Sequence, residues 1–364
     1  MLGLWVASSA EMVAAVFNNP LCRVRPAAEP VPTALLGSPA ADIFRQLVRM
    51  NDGTDHCPFK HAVSATLASV TKEQATEQSN RWARVLAEQY GCNDTSAHFA
   101  DFAFDLPVYA VGSLLGIPDD QLPQAALWIS DFVGCLAPGS SVEQIERGKH
   151  AAAQLRDAFH LLLHAQQMEA SEGLLSALAR EAQRLGRDDS DCVVANGIGF
   201  LSQAYEATAG LIGNTLLALA AHAEARDTHA RALHDAIQET LRYDPPIQNT
   251  HRFLAQDGVV AGQAMHAGAT ILLVLAAANR DSQIHPSPDE FKLWRTDRRT
   301  FTFGMGAHAC PGDALASAIA KAGVEQLSST DVWAHLPSSV IYRPSVNARI
   351  PLIGQSGSMD HILI

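Results

Sequence analysis

Residues 303–312 read Phe-Gly-Met-Gly-Ala-His-Ala-Cys-Pro-Gly, and no other stretch of the chain carries as much information about the fold. Its single cysteine, Cys310, is followed at once by residues 313–320, an alanine-rich stretch that favours a helix. Glycine permits positive φ and lets a bulky ligand come close to the backbone. A thiol just before a helix N-terminus lies near unpaired N–H groups and the positive end of the helix dipole, which favours the thiolate. The stretch therefore predicts a thiolate that is offered to a metal ion.

The residues around Cys310 separate this prediction from the more common case of an inert structural cysteine. The specified positions are Phe303, Gly304, Gly306, His308 and Gly312. Their order closely resembles the haem-binding loop of cytochromes P450, in which the cysteine is the axial ligand of the iron. The resemblance implies that Cys310 binds the iron of haem b and that the other five positions contact the cofactor.

Composition limits the classes of function. The chain has 364 residues, 48% of them hydrophobic, a formal net charge of −12 and no run of Lys or Arg. Such a chain is a poor partner for nucleic acid or an anionic membrane surface. Residues 1–6 are apolar but too few to span a bilayer, and the six cysteines are scattered, as is usual in a reducing compartment. We therefore expect a soluble, cytoplasmic protein with no transmembrane anchor and no nucleic-acid partner.

Helical patterns dominate the first two thirds of the chain. Predicted helices cover 11–17, 57–89 with a polar break at 71–74, 101–115, 147–168 and 174–185. The longest candidate, residues 191–222, has Asp191 as its predicted N-cap and would span roughly 48 Å. It is apolar on almost every side, so we expect it to cross the centre of the protein. Its glycines predict the close approach of a flat or bulky group.

The last third of the chain has a different character. Short strands are predicted at 258–262, 270–274, 340–342 and 348–353. The expected architecture is mainly α with a minor β region, in one domain over residues 1–364, and the resemblance implies the triangular helical fold of cytochromes P450. Residues 5–16 resemble the strand and helix that follow a longer N-terminal segment in that family. The access side is therefore expected to be more open, or completed by another chain or a membrane.

Glu239-Thr-Leu-Arg242 places a carboxylate and a guanidinium one turn apart on one helix face. Such pairs are common on solvated helices. Because Asp-Pro-Pro follows at residues 244–246, the segment resembles the buried ion pair of the family, which implies a structural role for Glu239 and Arg242.

Haem propionates require cations, and four residues match that role by resemblance. His56 and Lys60 match a His-x-x-x-Arg pattern, with lysine in place of arginine, which keeps the charge but loses the bidentate geometry. Arg252 matches the propionate arginine of the family, and His308 is the fourth candidate. Each of the four could also be an ordinary surface group.

The central helix departs from the family where proton delivery to dioxygen is expected. Glu206 occupies the position of the family's acid, Ala207 stands where threonine is usual, and Thr208 follows. Alanine lacks the hydroxyl, and Thr208 is expected to bond back to the Ala204 carbonyl. Three alternatives remain open. The substrate brings its own relay group; a water held by Glu206, Thr208 or Gln203 replaces the hydroxyl; or the enzyme uses peroxide or catalyses a non-redox reaction.

Two segments are expected to line the substrate pocket. The predicted lining residues are Gln203, Tyr205, Ala207, Ile247, Gln248 and Asn249. The amides of Gln248 and Asn249 suit a polar or peptide-like substrate, and in the alternative interpretation they bond to the backbone.

The resemblance implies an oxidoreductase, a haem-thiolate monooxygenase that hydroxylates or otherwise oxidises a small organic, secondary-metabolite-type molecule with dioxygen. Because the sequence shows no flavin or iron–sulfur segment, electrons from NAD(P)H are expected to arrive through a ferredoxin-type partner. The predicted docking residues are Lys292, Arg295, Arg298, Arg299 and Lys321, which could equally form a solvated basic rim. The alternatives are a peroxide-dependent or non-redox haem-thiolate enzyme, and a haem-binding or docking module without turnover.

Overall fold

A computed structural model describes residues 4–53, 56–169, 173–187, 189–222, 230–328, 336 and 340–354. Its helices are α1 (Ala10–Phe17), α2 (Pro39–Gln46), α3 (His56–Ala68), α4 (Lys72–Gln89), α5 (Phe99–Leu115), α6 (Leu122–Leu136), α7 (Val142–Glu169), α8 (Leu174–Arg184), α9 (Ser190–Ala221), α10 (Ala230–Tyr243), α11 (Leu275–Ala278) and α12 (Asp313–Ser328). Its strands are β1 (Leu4–Ala7), β2 (Cys22–Arg23), β3 (Thr250–Leu254), β4 (Gly258–Val260), β5 (Gln263–Met265) and β6 (Thr270–Leu273). The predicted class, mainly α with a minor β region, is confirmed. A single domain over residues 1–364 stays a prediction.

Helix α9 crosses the centre of the helical body and packs against α2, α5, α7 and α12. The predicted N-cap was wrong by two residues, because the Asp189 side chain accepts the N–H of Asp191 at 3.0 Å. Along the described ranges, α9 included, no helix combines the length and apolarity needed to cross a membrane.

The glycines of α9 are explained by the protein's own packing. A Cβ on Gly197 would lie 2.7 Å from Leu175 Cδ1, and one on Gly213 would lie 2.5 Å from Pro351 Cγ. A Cβ on Gly199 would lie 2.8 Å from Leu47 Cδ2, and one on Gly210 would lie 2.8 Å from Pro246 Cβ. A bulky group therefore does come close to each of these glycines, and in each case it is a side chain of a neighbouring segment of the chain.

The larger sheet has the strand order β1-β6-β3-β2, and β1 runs parallel to β6 while the other pairs are antiparallel. Strands β4 and β5 form a separate antiparallel pair. The strands predicted at 340–342 and 348–353 are reduced to isolated bridges, Tyr342 with Pro351 and Ile247 with Ala348. Proline cannot donate to a ladder, which limits pairing beyond the first of these bridges. The sheet fixes the backbone that carries Arg252.

Candidate functional site

The loop before α12 holds Cys310 in an accessible position. Gly304 and Gly306 have φ of +68° and +67°, a region that residues with a Cβ rarely adopt. The N–H of Cys310 donates to the Phe303 carbonyl at 2.7 Å and fixes the base of the loop. The Gly312 N–H donates to Cys310 Sγ at 3.4 Å, and Cys310 itself is exposed. The loop therefore leaves the sulfur available to a ligand.

The surroundings of Cys310 do not by themselves favour its thiolate. Although part of the residue is exposed, the protein around it removes enough water to raise the pKa of the Cys310 thiol. The Gly312 N–H and the Lys60 ammonium oppose that rise, and Asp313 adds to it. The Gly312 N–H thus favours the thiolate in the predicted direction, but burial has the larger effect and the pKa of Cys310 is raised overall. Coordination to a metal would itself remove the proton.

Helix α3 and the segment before it contact the cysteine loop through polar side chains. Lys60 Nζ donates to the Ala309 carbonyl at 2.6 Å. His308 Nε2 lies 3.0 Å from Asp52 Oδ1, and the ring centroids of His308 and His56 are 4.3 Å apart. His56 is only 3% exposed, and its Nε2 has no hydrogen-bond partner among the described residues. Among the described residues, one buried ring nitrogen is thus left for a group from outside the chain.

Arg252 adds a buried cation near the same loop. It is 7% exposed, donates to the His251 carbonyl at 2.8 Å and lies over the Phe17 ring at 5.0 Å. Phe17 also borders the loop, since a Cβ on Gly306 would lie 3.2 Å from the Phe17 carbonyl oxygen. Burial lowers the pKa of Arg252, with Asp52 and Cys22 opposing. No described carboxylate forms an ion pair with Arg252, and a buried guanidinium without a counter-ion is costly.

Glu239 and Arg242 form an ion pair that is 0% exposed on both sides, with 2.7 Å between Oε1 and Nη2. Arg295 Nε lies 3.2 Å from the same carboxylate oxygen, and the Lys292 N–H donates to it at 3.0 Å. Arg242 also donates to the Pro288 carbonyl at 2.7 Å. The cluster ties α10 to the segment that leads towards the cysteine loop.

This cluster corrects the predicted docking surface. The Arg295 side chain is 3% exposed, and Arg298 is 15% exposed and pairs with Asp235 at 2.9 Å. Neither guanidinium is therefore free to meet a partner protein. Lys292 and Arg299 remain exposed, while Lys321 is half-buried.

Gln203 and Ala207 lie one turn apart and share a face of α9 that retains exposure. Tyr205, two residues from each, points about 200° away around the helix. Its hydroxyl donates to Ser130 at 2.9 Å, and its ring packs 4.9 Å from that of Phe104. Placing Tyr205 in the same pocket wall as Gln203 was therefore wrong, because Tyr205 is buried against α5 and α6.

The acid on α9 is held by a cation that is distant in sequence. Glu206 Oε1 lies 3.3 Å from Arg343 Nη2, and each side chain is 28% exposed. Burial raises the pKa of Glu206, while Arg343 and, to a smaller extent, Arg49 lower it. A cavity of about 110 Å³ lies beside Arg343; its other lining residues are Ser130, Asp131, Gly134, Gln144 and Arg147. Gln144 and Arg147 are exposed, so water can reach Arg343 from outside.

Thr208 does not form the bond expected of it. The residue is 1% exposed, and its Oγ1 has no hydrogen-bond partner among the described residues. Thr215, two turns further along α9, donates to the Leu211 carbonyl at 2.7 Å in the usual i−4 manner. The prediction that Thr208 bonds back to Ala204 was therefore wrong, and within the described part of the chain this buried hydroxyl has no partner.

The segment before β3 uses its amides on the backbone. Gln248 Nε2 donates to the Pro245 carbonyl at 2.6 Å, and Asn249 Nδ2 donates to the Val346 carbonyl at 3.0 Å. Ile247 forms an isolated bridge with Ala348. The alternative interpretation of these amides is therefore the one observed, and a substrate role for this segment stays a prediction.

Comparison with known proteins identifies the family. The family model for cytochrome P450 matches residues 215–327. A biotin biosynthesis cytochrome P450 of Bacillus subtilis (strain 168) is 25% identical over 331 residues, which are 89% of this chain and 82% of that protein. The chain belongs to the cytochrome P450 superfamily.

Further relatives of this cytochrome P450 agree with that result. The 6-deoxyerythronolide B hydroxylase of Saccharopolyspora erythraea is 28% identical over 289 residues, 78% of this chain and 70% of that protein. The crystal structure of P450BioI in complex with acyl carrier protein ligated to hexadec-9Z-enoic acid superposes with a TM-score of 0.83 at 23% identity, over 96% of this chain and 91% of that one. The last likeness shows the same fold.

Haem is the cofactor that membership of the cytochrome P450 superfamily implies, and the described residues fit it. Cys310 offers an accessible sulfur. His56 leaves a buried nitrogen unpaired, Arg252 is a buried cation without an acidic partner, and Lys60 adds a positive charge at the loop. Carboxylates such as the propionates would satisfy all three side chains. The individual roles of these residues stay predictions.

Three features of this cytochrome P450 were missed in the sequence. Asp52 contacts His308, Arg343 pairs with Glu206, and Arg295 joins the Glu239 cluster. The sequence offered a signal for Asp52, since it is an acidic residue only four positions before the candidate haem contact His56. Arg343 had no local signal, because its partner lies on α9 and only the tertiary fold brings the two together.

Proposed function

We propose that this cytochrome P450 holds haem b through Cys310 and oxidises a small organic substrate of the secondary-metabolite type, with dioxygen and with electrons from NAD(P)H that a ferredoxin-type protein delivers. The observation that carries the proposal is the accessible Cys310 sulfur in a loop that Lys60 contacts and beside which, among the described residues, the buried His56 Nε2 has no hydrogen-bond partner. The names of the relatives, which refer to biotin biosynthesis and to 6-deoxyerythronolide B, support a small organic substrate. Haem on a thiolate supplies the redox chemistry, because the ligand's electron density favours O–O cleavage.

The chain's own residues would manage protons on the α9 side. Burial raises the pKa of Glu206, so its carboxyl retains a proton at higher pH than a solvated one. The ion pair with Arg343 connects Glu206 to the cavity through which water can exchange. Because Ala207 has no hydroxyl, the relay from Glu206 is completed by a water or by a group of the substrate.

A second candidate function has one observation in its favour. Ala207 cannot donate a hydrogen bond, and the neighbouring Thr208 hydroxyl is buried. A peroxide-dependent haem-thiolate enzyme would need no protons from solvent, since hydrogen peroxide supplies both oxygen atoms, two electrons and the two protons of the water that is released. Parallel turnover with NAD(P)H and reductase, and with peroxide alone, decides between the two. Product from peroxide only, together with no gain in coupling on Ala207→Thr, would favour the second function.

The axial ligand is tested by the carbon-monoxide difference spectrum of the reduced protein. Wild type is expected to show the long-wavelength band of a thiolate-ligated haem, and Cys310→Ser is expected to abolish it. Cys192→Ser, at a half-buried cysteine on α9, serves as the matched control and keeps the band. An unchanged spectrum in Cys310→Ser would refute the proposal.

The electron donor is proposed to dock on the face that bears Lys292 and Arg299. Both side chains are exposed, and Lys292 forms a surface pair with Glu290 at 2.9 Å. Charge reversal at Arg299 is expected to slow reduction by an acidic ferredoxin at low salt, and less so at high salt. An equal effect at both salt concentrations would argue against docking there. We also place the enzyme in the cytoplasm, because the cysteines whose side chains the structure describes, Cys22, Cys92, Cys135, Cys192 and Cys310, are free.

A further inference from the structure

One buried histidine lies outside the site already described. His285, in the turn that follows α11, is 0% exposed. Its Nε2 accepts the Arg299 N–H at 3.1 Å. Arg299 begins residues 299–303, the entry segment, through which the chain passes into the Cys310 loop. His285 therefore holds the start of that segment.

The entry segment in turn fixes the base of the cysteine loop. Its last carbonyl, that of Phe303, accepts the Cys310 N–H at 2.7 Å. In its middle, the Phe301 N–H donates to Asn279 Oδ1 at 2.7 Å. The amide of Asn279 does not titrate. Of these two anchors of the entry segment, His285 is therefore the one that can respond to pH.

The hydrogen bond to Arg299 and the protonation of His285 exclude each other. A neutral imidazole carries one proton, and because Nε2 accepts a hydrogen bond, that proton is on Nδ1. A second proton would have to bind Nε2, the atom that accepts the Arg299 N–H. Both nitrogens of an imidazolium are donors, so the bond would be replaced by two N–H groups that face each other.

The ring of His285 lies beside the buried Glu239 cluster. Its Nδ1 has no hydrogen-bond partner among the described residues. The Glu239 carboxylate is shared by the guanidiniums of Arg242 and Arg295. Arg295 Nη1 also donates to the carbonyl of Pro286, the residue after His285, at 2.8 Å. A protonated ring would therefore lie beside two cations whose common carboxylate is already engaged.

Two other carboxylates act on the ring from nearby segments. Asp281 accepts the N–H groups of Ala10 at 2.8 Å and of Gln283 at 2.9 Å. Asp297 is exposed to solvent. Neither carboxylate forms a hydrogen bond with the His285 ring.

Burial is the largest cause that lowers the pKa of His285. The charges of Arg242 and Arg295 lower it further, while Asp297 and Glu239 oppose them. In the unfolded chain the ring titrates near a pKa of about 6.5. The stability linked to the neutral ring is therefore complete above that pH and is lost as pH falls towards the lowered folded pKa.

We propose that His285 is a positioning residue for the Cys310 loop, which it holds as a neutral hydrogen-bond acceptor and releases on protonation. This role rests on the proposed function, because the loop is the one that would hold haem. A released entry segment exposes the ring to water, which restores a pKa of about 6.5. Opening of the segment should therefore become up to about tenfold more favourable for each pH unit below that value.

The test is hydrogen exchange of the haem-loaded protein, read by mass spectrometry on peptides that cover the entry segment. Exchange is followed between about pH 5 and pH 8 and corrected for the intrinsic rate at each pH. His285→Gln has a carbonyl that can accept the Arg299 N–H but does not titrate, whereas His285→Phe has no acceptor. The control is His266→Gln, because His266 is 84% exposed and pairs with Asp257 on the surface.

In wild type and His266→Gln, protection of the entry segment is expected to fall by up to about tenfold per pH unit below about pH 6.5. His285→Gln should keep constant protection over the same range, and His285→Phe should be less protected at every pH. A fall in His285→Gln equal to that in wild type overturns the proposal, as does pH-independent protection in wild type. If neither variant folds, an NMR titration of the wild-type His285 ring decides, and protonation without loss of protection at Arg299 contradicts the proposal.

The proposed function fails separately. A normal thiolate spectrum in wild type with pH-independent protection of the entry segment refutes only the role of His285. Absence of a Cys310-dependent spectrum refutes the haem-thiolate assignment, whatever the exchange experiment shows.

Discussion

The carboxylate of Glu206 and the guanidinium of Arg343 form an ion pair across 3.3 Å that joins the centre of α9 to the segment after α12. Burial raises the pKa of Glu206, and the Arg343 charge limits that rise. The folded protein therefore holds the Glu206 proton more tightly than the unfolded chain does. The stability linked to this proton is present below the unfolded pKa and is lost as pH rises through the folded pKa.

Arg343→Gln is expected to raise the pKa of Glu206 further, because the nearest opposing charge is removed. The protonated-carboxyl band in infrared titration measures this directly, and Glu206→Gln assigns the band. Arg147→Gln lines the same cavity but pairs with Asp131 at 3.3 Å, so it should leave the midpoint in place. A midpoint that falls in Arg343→Gln would contradict the pairing.

Glu239→Gln is expected to lower the free energy of unfolding by about 3–5 kcal/mol, since it leaves the buried guanidinium groups of Arg242 and Arg295 without their shared carboxylate. Burial opposes ionisation of Glu239, but hydrogen bonds from Arg242 and other donors lower its pKa overall. Its stabilising effect is thus present at neutral pH and lost as pH falls through the lowered pKa. Denaturant unfolding at several pH values measures both effects.

Glu325→Gln is the control for that experiment. Its carboxylate is 50% exposed and lies 3.8 Å from Lys321, so the change should cost less than about 1 kcal/mol. Equal losses in the two variants would show that the Glu239 cluster contributes no more than a surface pair.

Thr208→Val is expected to leave the free energy of unfolding unchanged or to raise it by about 1 kcal/mol, because the buried hydroxyl has no partner among the described residues. Thr215→Val, in the same helix, should lower it by about 1 kcal/mol, because that hydroxyl donates to Leu211. Thermal unfolding of the two variants makes the comparison. A loss in Thr208→Val as large as in Thr215→Val would mean that the Thr208 hydroxyl is bonded.

Lys60→Met is expected to accelerate haem loss roughly tenfold, since it removes both a charge and the hydrogen bond to Ala309 of the cysteine loop. Lys60→Arg should slow haem loss, because the guanidinium can bind a carboxylate in a bidentate manner. The rate of haem transfer to a scavenger protein measures both. Lys72→Met is the control, because Lys72 is exposed at the start of α4, and it should leave the rate of haem loss unchanged. An equal acceleration in Lys72→Met would show that Lys60 does not contribute to haem binding.

Much of the site could be predicted because its signals are local. The residues of each predicted motif lie close together in the sequence. This holds for the cysteine loop, for the Glu-x-x-Arg turn of α10 and for the His56–Lys60 turn of α3. Conversely, the glycines of α9 predicted a close neighbour but could not identify it, because a small residue indicates only that something is close. Whether that neighbour is a ligand or Pro351 depends on a segment far along the chain.

The sequence by itself determined the fold class, the family and the position of the one loop cysteine, because these depend on helical periodicity and on a short run of specified residues. Only the tertiary structure decided which charges are paired. Arg295 is buried in the Glu239 cluster, and Glu206 pairs with Arg343. An ion pair requires its atoms to lie within a few ångströms, and for these residues that distance is set by the packing of separate segments.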